Sequence, residues 1–314
     1  MIICVAGPTA SGKTQLAVAL AKELHGEVVS CDSMQVYRHM DIGTAKPTRE
    51  EMDGIVHHML DVAEPEEPFS AGRYVEQADP IVRDILARGK TCILCGGTGL
   101  YMDSLMAGRT FAPIPQTGRR EALEQLAREE GIEAVLQKLR QVDPESAQRL
   151  HPSDQRRIIR ALEVYEETGT TITAHNEETK RQPPRYEGCW LGLDFTHREE
   201  LYARIDLRVE HMMAEGLLKE IELLLHRGVP QNATSLQAIG YKEPLAALRG
   251  EMTMEEAVEK IKQESRRYAK RQLTWFRRNE QMHWLYRQAD TPFDRLFAQA
   301  MEQVAAVSTF DSIL

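Results

Sequence analysis

The stretch Gly7-Pro8-Thr9-Ala10-Ser11-Gly12-Lys13-Thr14 constrains this chain more than any other. It fits G-x-x-x-x-G-K-[ST], a phosphate-binding P-loop. Its flanks agree with that reading. Ile2-Ile3-Cys4-Val5-Ala6 is an unbroken apolar run, as a parallel strand buried on both faces should be. Leu16, Leu20 and Leu24 follow at helical spacing, with Ala17 and Ala21 beside them. Strand, glycine loop and helix in that order turn backbone N–H groups inward and add the helix's partial positive charge. Together they hold a phosphate. Lys13 adds a full charge, and Thr14 offers a hydroxyl to a magnesium ion.

Composition narrows the class. The chain has 314 residues, 42% hydrophobic and 28% charged, so it reads as a globular protein of one large domain or two. No apolar run approaches the ~20 residues that span a bilayer, so no membrane segment is expected. The first strand starts directly after Met1, which leaves no room for a cleaved leader. The five cysteines (Cys4, Cys31, Cys92, Cys95 and Cys189) all fall in apolar runs, which points to reduced, buried thiols and a cytoplasmic protein. Cys92 and Cys95 have redox or zinc spacing, but residues three apart on a strand face opposite ways, so core packing is expected. Adjacent His57 and His58 diverge too, and no partner spacing for a metal is visible. The formal net charge of −9 argues against nucleic acid until the charges are placed along the chain.

Glu27-Val28-Val29-Ser30-Cys31 reads as a second strand ending at Asp32-Ser33-Met34-Gln35. Ligands of parallel α/β sheets sit at the carboxyl ends of strands, so Asp32 and the P-loop are expected at one edge. Asp32 is either a turn residue or a functional carboxylate there. Asp41–Pro47 is a loop. Ser70 caps a helix that Pro80 should kink or restart, with Asp79 as the new cap. Lys90–Cys95 is another buried strand, and it ends at Gly96-Gly97-Thr98-Gly99, where backbone can approach a ligand. P-loop ATPases carry an Asp near such a strand end to help hold magnesium. Its lack here disfavours a motor or switch ATPase.

Between Ala112 and Pro184, bounded by Pro113, Pro115 and Pro183-Pro184, the pattern becomes four short helices, an all-helical insertion in the α/β core. The fourth runs from an Asp154 cap to Gly169. It carries Arg156, Arg157 and Arg160 first and Glu163, Glu166 and Glu167 later, against the helix dipole. That order suits either an anionic ligand or a solvated basic patch. Cys189–Leu193 resumes the core. Thr196–Glu199 reads as a capping box opening a helix that carries Arg204 and Arg208 one turn apart. Gln237-Ala238-Ile239-Gly240-Tyr241-Lys242 is a loop with two possible nucleic-acid contacts. A second capping box, Thr253–Glu256, opens a helix to about Asn279 that interleaves eight Lys and Arg with Tyr268, Trp275 and Phe276. Basic residues with aromatics fit nucleic acid, and an amphipathic core helix with a basic outer face fits equally; both can hold.

Five stretches together resemble a known family. They are Gly7–Thr14, Asp32–Arg38, Asp41–Pro47, Gly96–Tyr101 and Lys270-Arg271-Gln272-Leu273-Thr274-Trp275-Phe276-Arg277. The set is similar to that of the tRNA dimethylallyltransferases (tRNA isopentenyltransferases). The chain looks like the bacterial form, because no C-terminal zinc-finger extension is present. The resemblance covers almost the whole chain. It implies a P-loop NTPase-like parallel sheet flanked by helices, with residues 1–111 and 185–314 as catalytic core and 112–184 as a helical insertion contacting the tRNA anticodon arm. It implies transfer of a dimethylallyl group from dimethylallyl diphosphate to the exocyclic amine of the adenosine 3′-adjacent to the anticodon, in tRNAs reading codons that begin with U. The P-loop, Gly7, Pro8, Thr9, Ala10, Ser11, Gly12, Lys13 and Thr14, would hold the leaving diphosphate with Mg2+ on Thr14 and help from Arg204 and Arg208. Asp32 would be the general base, and Thr98 would position the target base. RNA contacts would come from Asp32, Ser33, Met34, Gln35, Thr98, Arg120, Arg156, Arg157, Ile158, Ile159, Arg160 and Gln237 to Lys242. A cytoplasmic monomer without membrane contact is expected. A P-loop kinase with Asp32 as base toward a small hydroxyl, consuming ATP, and an RNA-binding module with a vestigial loop are the alternatives.

Overall fold

Strand β1 (Ile2–Ala6), buried at every residue, lies inside the sheet, paired on both sides. The fold is known from a computed structural model, which describes residues 1–109, 111 and 117–311. The prolines at 113 and 115, expected to open the insertion, lie outside the described residues. The chain divides into two compact units: Met1–Ala107 with the segment from Tyr186 onward, and Gly108–Arg185. No helix among the described residues is long and apolar enough to cross a membrane.

In chain order the first unit has β1, α1 (Lys13–Glu23), β2 (Glu27–Ser30), α2 (Arg49–Met52), β3 (His57–His58), α3 (Ala71–Ala87), β4 (Cys92–Gly96) and α4 (Gly99–Ala107). The second unit holds α5 (Arg119–Glu129), α6 (Ile132–Val142), α7 (Pro144–Arg149), α8 (Gln155–Thr168) and α9 (Ile172–Arg181). The first unit then resumes with β5 (Cys189–Phe195), α10 (Arg198–Glu215), α11 (Leu217–His226), α12 (Lys242–Leu248), α13 (Met254–Phe276), β6 (Met282–Arg287) and α14 (Phe293–Asp311).

All strands run parallel, in the order β3-β2-β4-β1-β5-β6. Strand alternation sorts the core. Cys4, Ala6, Val29 and Leu94 pack with Tyr74 and Val82 of α3 and Met102 of α4 on one face. Ile3, Val5, Ile93 and Leu191 pack with Leu16 and Leu20 of α1 and Leu296 of α14 on the other. Cys92 and Cys95 fall on opposite faces, as the strand spacing requires, and all five thiols are buried and free. The second unit has its own core of Leu123, Val135, Leu136, Leu139, Ile158 and Leu162.

Three local expectations need correction. Helix α3 runs unbroken through Pro80. Its apolar stripe of Tyr74, Val75, Ala78, Val82 and Ile85 is buried along both halves, and this holds it as one helix. Asp79 does not cap; it accepts from the Tyr186 hydroxyl at 2.7 Å and pairs with Arg83 at 2.7 Å. Thr196 opens no capping box. Its N–H donates to Arg287 O at 2.9 Å, continuing the β5–β6 ladder, so α10 starts after His197 without a side-chain cap. The segment 108–185 holds five helices among the described residues, because α9, a polar stretch without an apolar stripe, follows the four expected. The Thr253 capping box forms as read, and α13 stops at Phe276.

Candidate active site at the P-loop edge

Gly12, with φ +92°, caps α1 in the left-handed region that other residues resist, and it lets the loop turn into the helix. Ala10 adopts φ +62°, an uncommon conformation for a side chain bearing a Cβ. The Ser11 hydroxyl is buried with no hydrogen-bond partner. Lys13 Nζ folds back to donate to Pro8 O at 2.6 Å. Burial, with Arg208 adding to it, lowers its pKa to about 8. A buried cation and an unpaired hydroxyl inside one loop are suited to an anion with several acceptor oxygens.

Elements from the far end of the chain reach this loop. On α10, Arg208 Nη1 donates to Thr9 Oγ1 at 2.9 Å and Arg204 Nε donates to Ala10 O at 3.0 Å. On α13, the Gln272 amide accepts from Thr9 N–H at 2.9 Å and donates to Gly97 O at 3.0 Å, tying the P-loop to the glycine turn after β4. A Cβ at Gly97 would collide with that amide. Gln272 lies within the Lys270–Arg277 motif, but its partners could not be read from spacing.

Asp32 follows the end of β2 at the same edge. Its Oδ1 accepts from Met34 N–H at 2.8 Å and Gln35 N–H at 3.4 Å. This Asx-type turn fixes the carboxylate on its own backbone. Its charge is felt at Lys13 and Arg208, favouring the protonated form of each. Thr98 Oγ1 accepts from Ser33 N–H at 3.0 Å and donates to Ser33 Oγ at 3.3 Å, so Thr98 braces the turn that carries Asp32. The Tyr268 hydroxyl is pushed up to about 12 by burial and by the Asp32 charge. Gln35 looks inward: it accepts from Ser30 Oγ at 3.1 Å and donates to Ala45 O at 3.1 Å.

The Asp41–Pro47 loop is organised by Glu220 of α11, which the sequence reading missed. One carboxylate accepts from the N–H groups of Asp41 and Ile42 at 2.7 Å each, from Gly43 N–H at 3.1 Å and from Tyr241 Oη at 2.7 Å. This corrects the role read for Tyr241. Its ring is 0% exposed and joins the 237–242 loop to the 41–47 loop, so the side chain is not open to an RNA. Gln237 and Lys242 remain exposed. Ile158 and Ile159 are likewise 0% and 6% exposed within the core of the second unit. In that unit, Arg156 and Arg157 face solvent, and Arg160 and Arg120 share Glu163 at 3.1 and 3.8 Å. On α13 and at its C-cap, four cations are committed to acids: Lys262 to Glu210, Arg266 to Asp206, Arg267 to Glu264 and Arg277 to Asp194. Arg271 and Arg278 instead lie over Tyr268 and Trp275.

Among the described residues no group of three His, Cys, Asp or Glu could cage a metal. Magnesium needs no such cage, since it keeps several waters and binds through few protein oxygens plus substrate phosphates. The Thr14 hydroxyl, in the first turn of α1, is compatible with that mode.

Sheet order, loop and edge residues define a P-loop α/β protein whose edge is suited to a phosphorylated ligand. Comparison with known proteins goes further. The family model described as IPP transferase matches residues 35–279, and the chain belongs to that family. It is 45% identical over 311 residues to the tRNA dimethylallyltransferase of Caldanaerobacter subterraneus subsp. tengcongensis, covering 98% of this chain and 99% of that protein. Its fold is similar to the full-length tRNA isopentenylpyrophosphate transferase of Bacillus halodurans, with TM-score 0.72, 40% identity and 99% of each chain covered. A eukaryotic dimethylallyltransferase acting on tRNA gives TM-score 0.81 at 30% identity, covering 99% of this chain and 79% of that one.

Proposed function

We propose that this protein transfers a dimethylallyl group from dimethylallyl diphosphate to the exocyclic amine of the adenosine 3′-adjacent to the anticodon, in tRNAs that read codons beginning with U. One observation carries the reading: the P-loop, its two α10 arginines and the Asp32 turn meet at one sheet edge, in a chain of the IPP transferase family.

The nitrogen lone pair forms a bond to the allylic carbon while the carbon–oxygen bond to the diphosphate breaks. Negative charge then builds on the leaving group, and Lys13, Arg204, Arg208 and the loop N–H groups stabilise it. The nitrogen becomes cationic as it attacks, and Asp32 takes its proton as general base. Thr98 holds the turn that aims Asp32. Thr14 is the residue that would hold Mg2+, which when bound neutralises diphosphate charge. The adenosine must leave its stack to reach this edge, which costs a few kcal/mol, roughly. Arg120, Arg156, Arg157 and Arg160 of the helical unit, with Ser33, Met34, Gln237 and Lys242 of the core, are the proposed RNA contacts. The protein acts as a cytoplasmic monomer in this account.

The curated relatives favour this over the kinase alternative, since they are named as tRNA dimethylallyltransferases. Dimethylallyl diphosphate labelled in its prenyl group, mixed with unmodified tRNA and magnesium, tests it. Label should enter tRNA without ATP and should not enter a transcript whose target adenosine is replaced by guanosine. Consumption of ATP without any RNA requirement would support the kinase instead.

A further inference from the structure

We propose that Arg287, at the end of β6, is a third guanidinium that binds the diphosphate, reaching it from the Gly12 side of the P-loop. This rests on the reading above that the loop holds a diphosphate. Arg287 pairs in register with Phe195 of β5, which brings it to the P-loop edge of the sheet. Its Nη1 lies 3.1 Å from where a Cβ on Gly12 would be, so the guanidinium packs directly on the residue that caps α1.

The surroundings of Arg287 answer its charge only in part, with no acid among the described residues bonded to it. Its guanidinium carbon sits 5.4 Å from the Phe195 ring centroid, and that of Arg204 sits 5.8 Å from the same centroid. Two like charges therefore share one ring, and Arg204 already donates to Ala10 O. Arg287 Nε is buried without a hydrogen-bond partner, and Arg287 makes no ion pair among the described residues. Glu200, in the first turn of α10, is near enough to favour its charge but is not bonded to it, and Glu200 Oε2 is itself buried without a partner. Burial, and then Arg204, weakens the hold of Arg287 on its proton. A guanidinium stays charged nonetheless. A buried donor without a partner and two crowded cations fit a site completed by a polyanion. The ligand the P-loop is built for supplies that charge, with acceptor oxygens on two phosphorus centres.

The test is calorimetric titration of inorganic pyrophosphate with magnesium into wild type and Arg287→Met. The expected result is at least about tenfold weaker binding in the variant, the loss of a charge-assisted contact, with a raised KM for prenyl diphosphate and unchanged tRNA affinity. A natively folded Arg287→Met protein that binds pyrophosphate within twofold of wild type overturns the proposal. So does equal loss of thermal stability in Arg287→Met and Glu200→Gln with neither altering pyrophosphate affinity, since that marks a structural pair. If the Met variant does not fold, Arg287→Gln decides by the same threshold. Arg287-dependent pyrophosphate binding in a protein that prenylates no tRNA would sink the assigned reaction and leave this inference standing.

Discussion

Thr9 and Gln272 are 263 positions apart, and one 2.9 Å hydrogen bond from the Thr9 N–H to the Gln272 side chain joins them. The same amide donates to Gly97 O, so a single buried side chain on α13 sets the spacing between the P-loop and the turn beside Asp32. Gln272→Leu keeps the bulk and leaves both backbone groups unpaired. A loss of roughly 2–4 kcal/mol in stability is expected, about 1–3 for each orphaned group less partial relaxation. Thermal unfolding should show that drop, and steady-state assays should show a raised KM for prenyl diphosphate. A variant with wild-type values in both would remove Gln272 from this role.

Lys13 links donor binding to pH. Burial holds its pKa at about 8, and only the charged form stabilises a diphosphate. Below that value the lysine is protonated before ligand arrives. Above it, binding must carry a proton in, so affinity falls as pH rises. Pyrophosphate affinity measured from pH 6.5 to 9.5 should decline above about 8 in wild type. Lys13→Met should bind more weakly throughout and lack that part of the decline, which separates the lysine from the titration of pyrophosphate itself.

At the opposite end of β2, Glu27 is buried among Arg88, Lys90 and His58, at 2.9, 2.7 and 2.8 Å. Arg88 is the main reason its carboxyl lies well below the usual 4.5; burial works against the shift, and Lys90 and His58 support it. The folded state therefore binds fewer protons than the unfolded state below pH ~4.5. The stabilisation is complete above that pH and is lost as the pH falls through the unfolded and then the folded value. Glu27→Gln should be less stable than wild type at neutral pH, because the partly exposed cations of Arg88 and Lys90 lose the buried carboxylate they share. Its stability should then change less than that of wild type between pH 5 and 3. Parallel acid profiles for the two proteins would contradict this.

All five cysteines are buried, and burial raises each thiol above its usual range. The thiolate is the reactive form. Maleimide or iodoacetamide at pH 7.5 should label none of them in the folded protein and five after denaturation. Rapid labelling of native Cys95, on the β4 strand beside the P-loop, would mean that this edge opens.

What the sequence made legible was local. A P-loop is contiguous, its strand and helix adjoin it, and Asp32 and Thr98 each follow a buried strand, so one-dimensional spacing already implied a shared edge. Glu220 carried no such signal: a single Glu on α11 looks like any outer-face residue until the Asp41–Gly43 amides, 177 to 179 positions earlier, fold onto it. Strand β6 escaped notice because Met282–Arg287 mixes buried, half-buried and exposed positions without a clean two-residue period. Arg287 was missed with it. Tyr241 was misread because an aromatic beside a glycine and a lysine suits RNA as well as it suits a core, and only its bond to Glu220 decides between them.

The role of Asp32 is the centre of the account, and single-turnover transfer of labelled dimethylallyl to unmodified tRNA tests it most directly. With Asp32→Asn and Asp32→Ala, the chemical rate should fall about 10²–10⁴-fold, while pyrophosphate and tRNA still bind within a few-fold of wild type. Near-normal transfer by the alanine enzyme would contradict the account, because some other group would then be taking the proton.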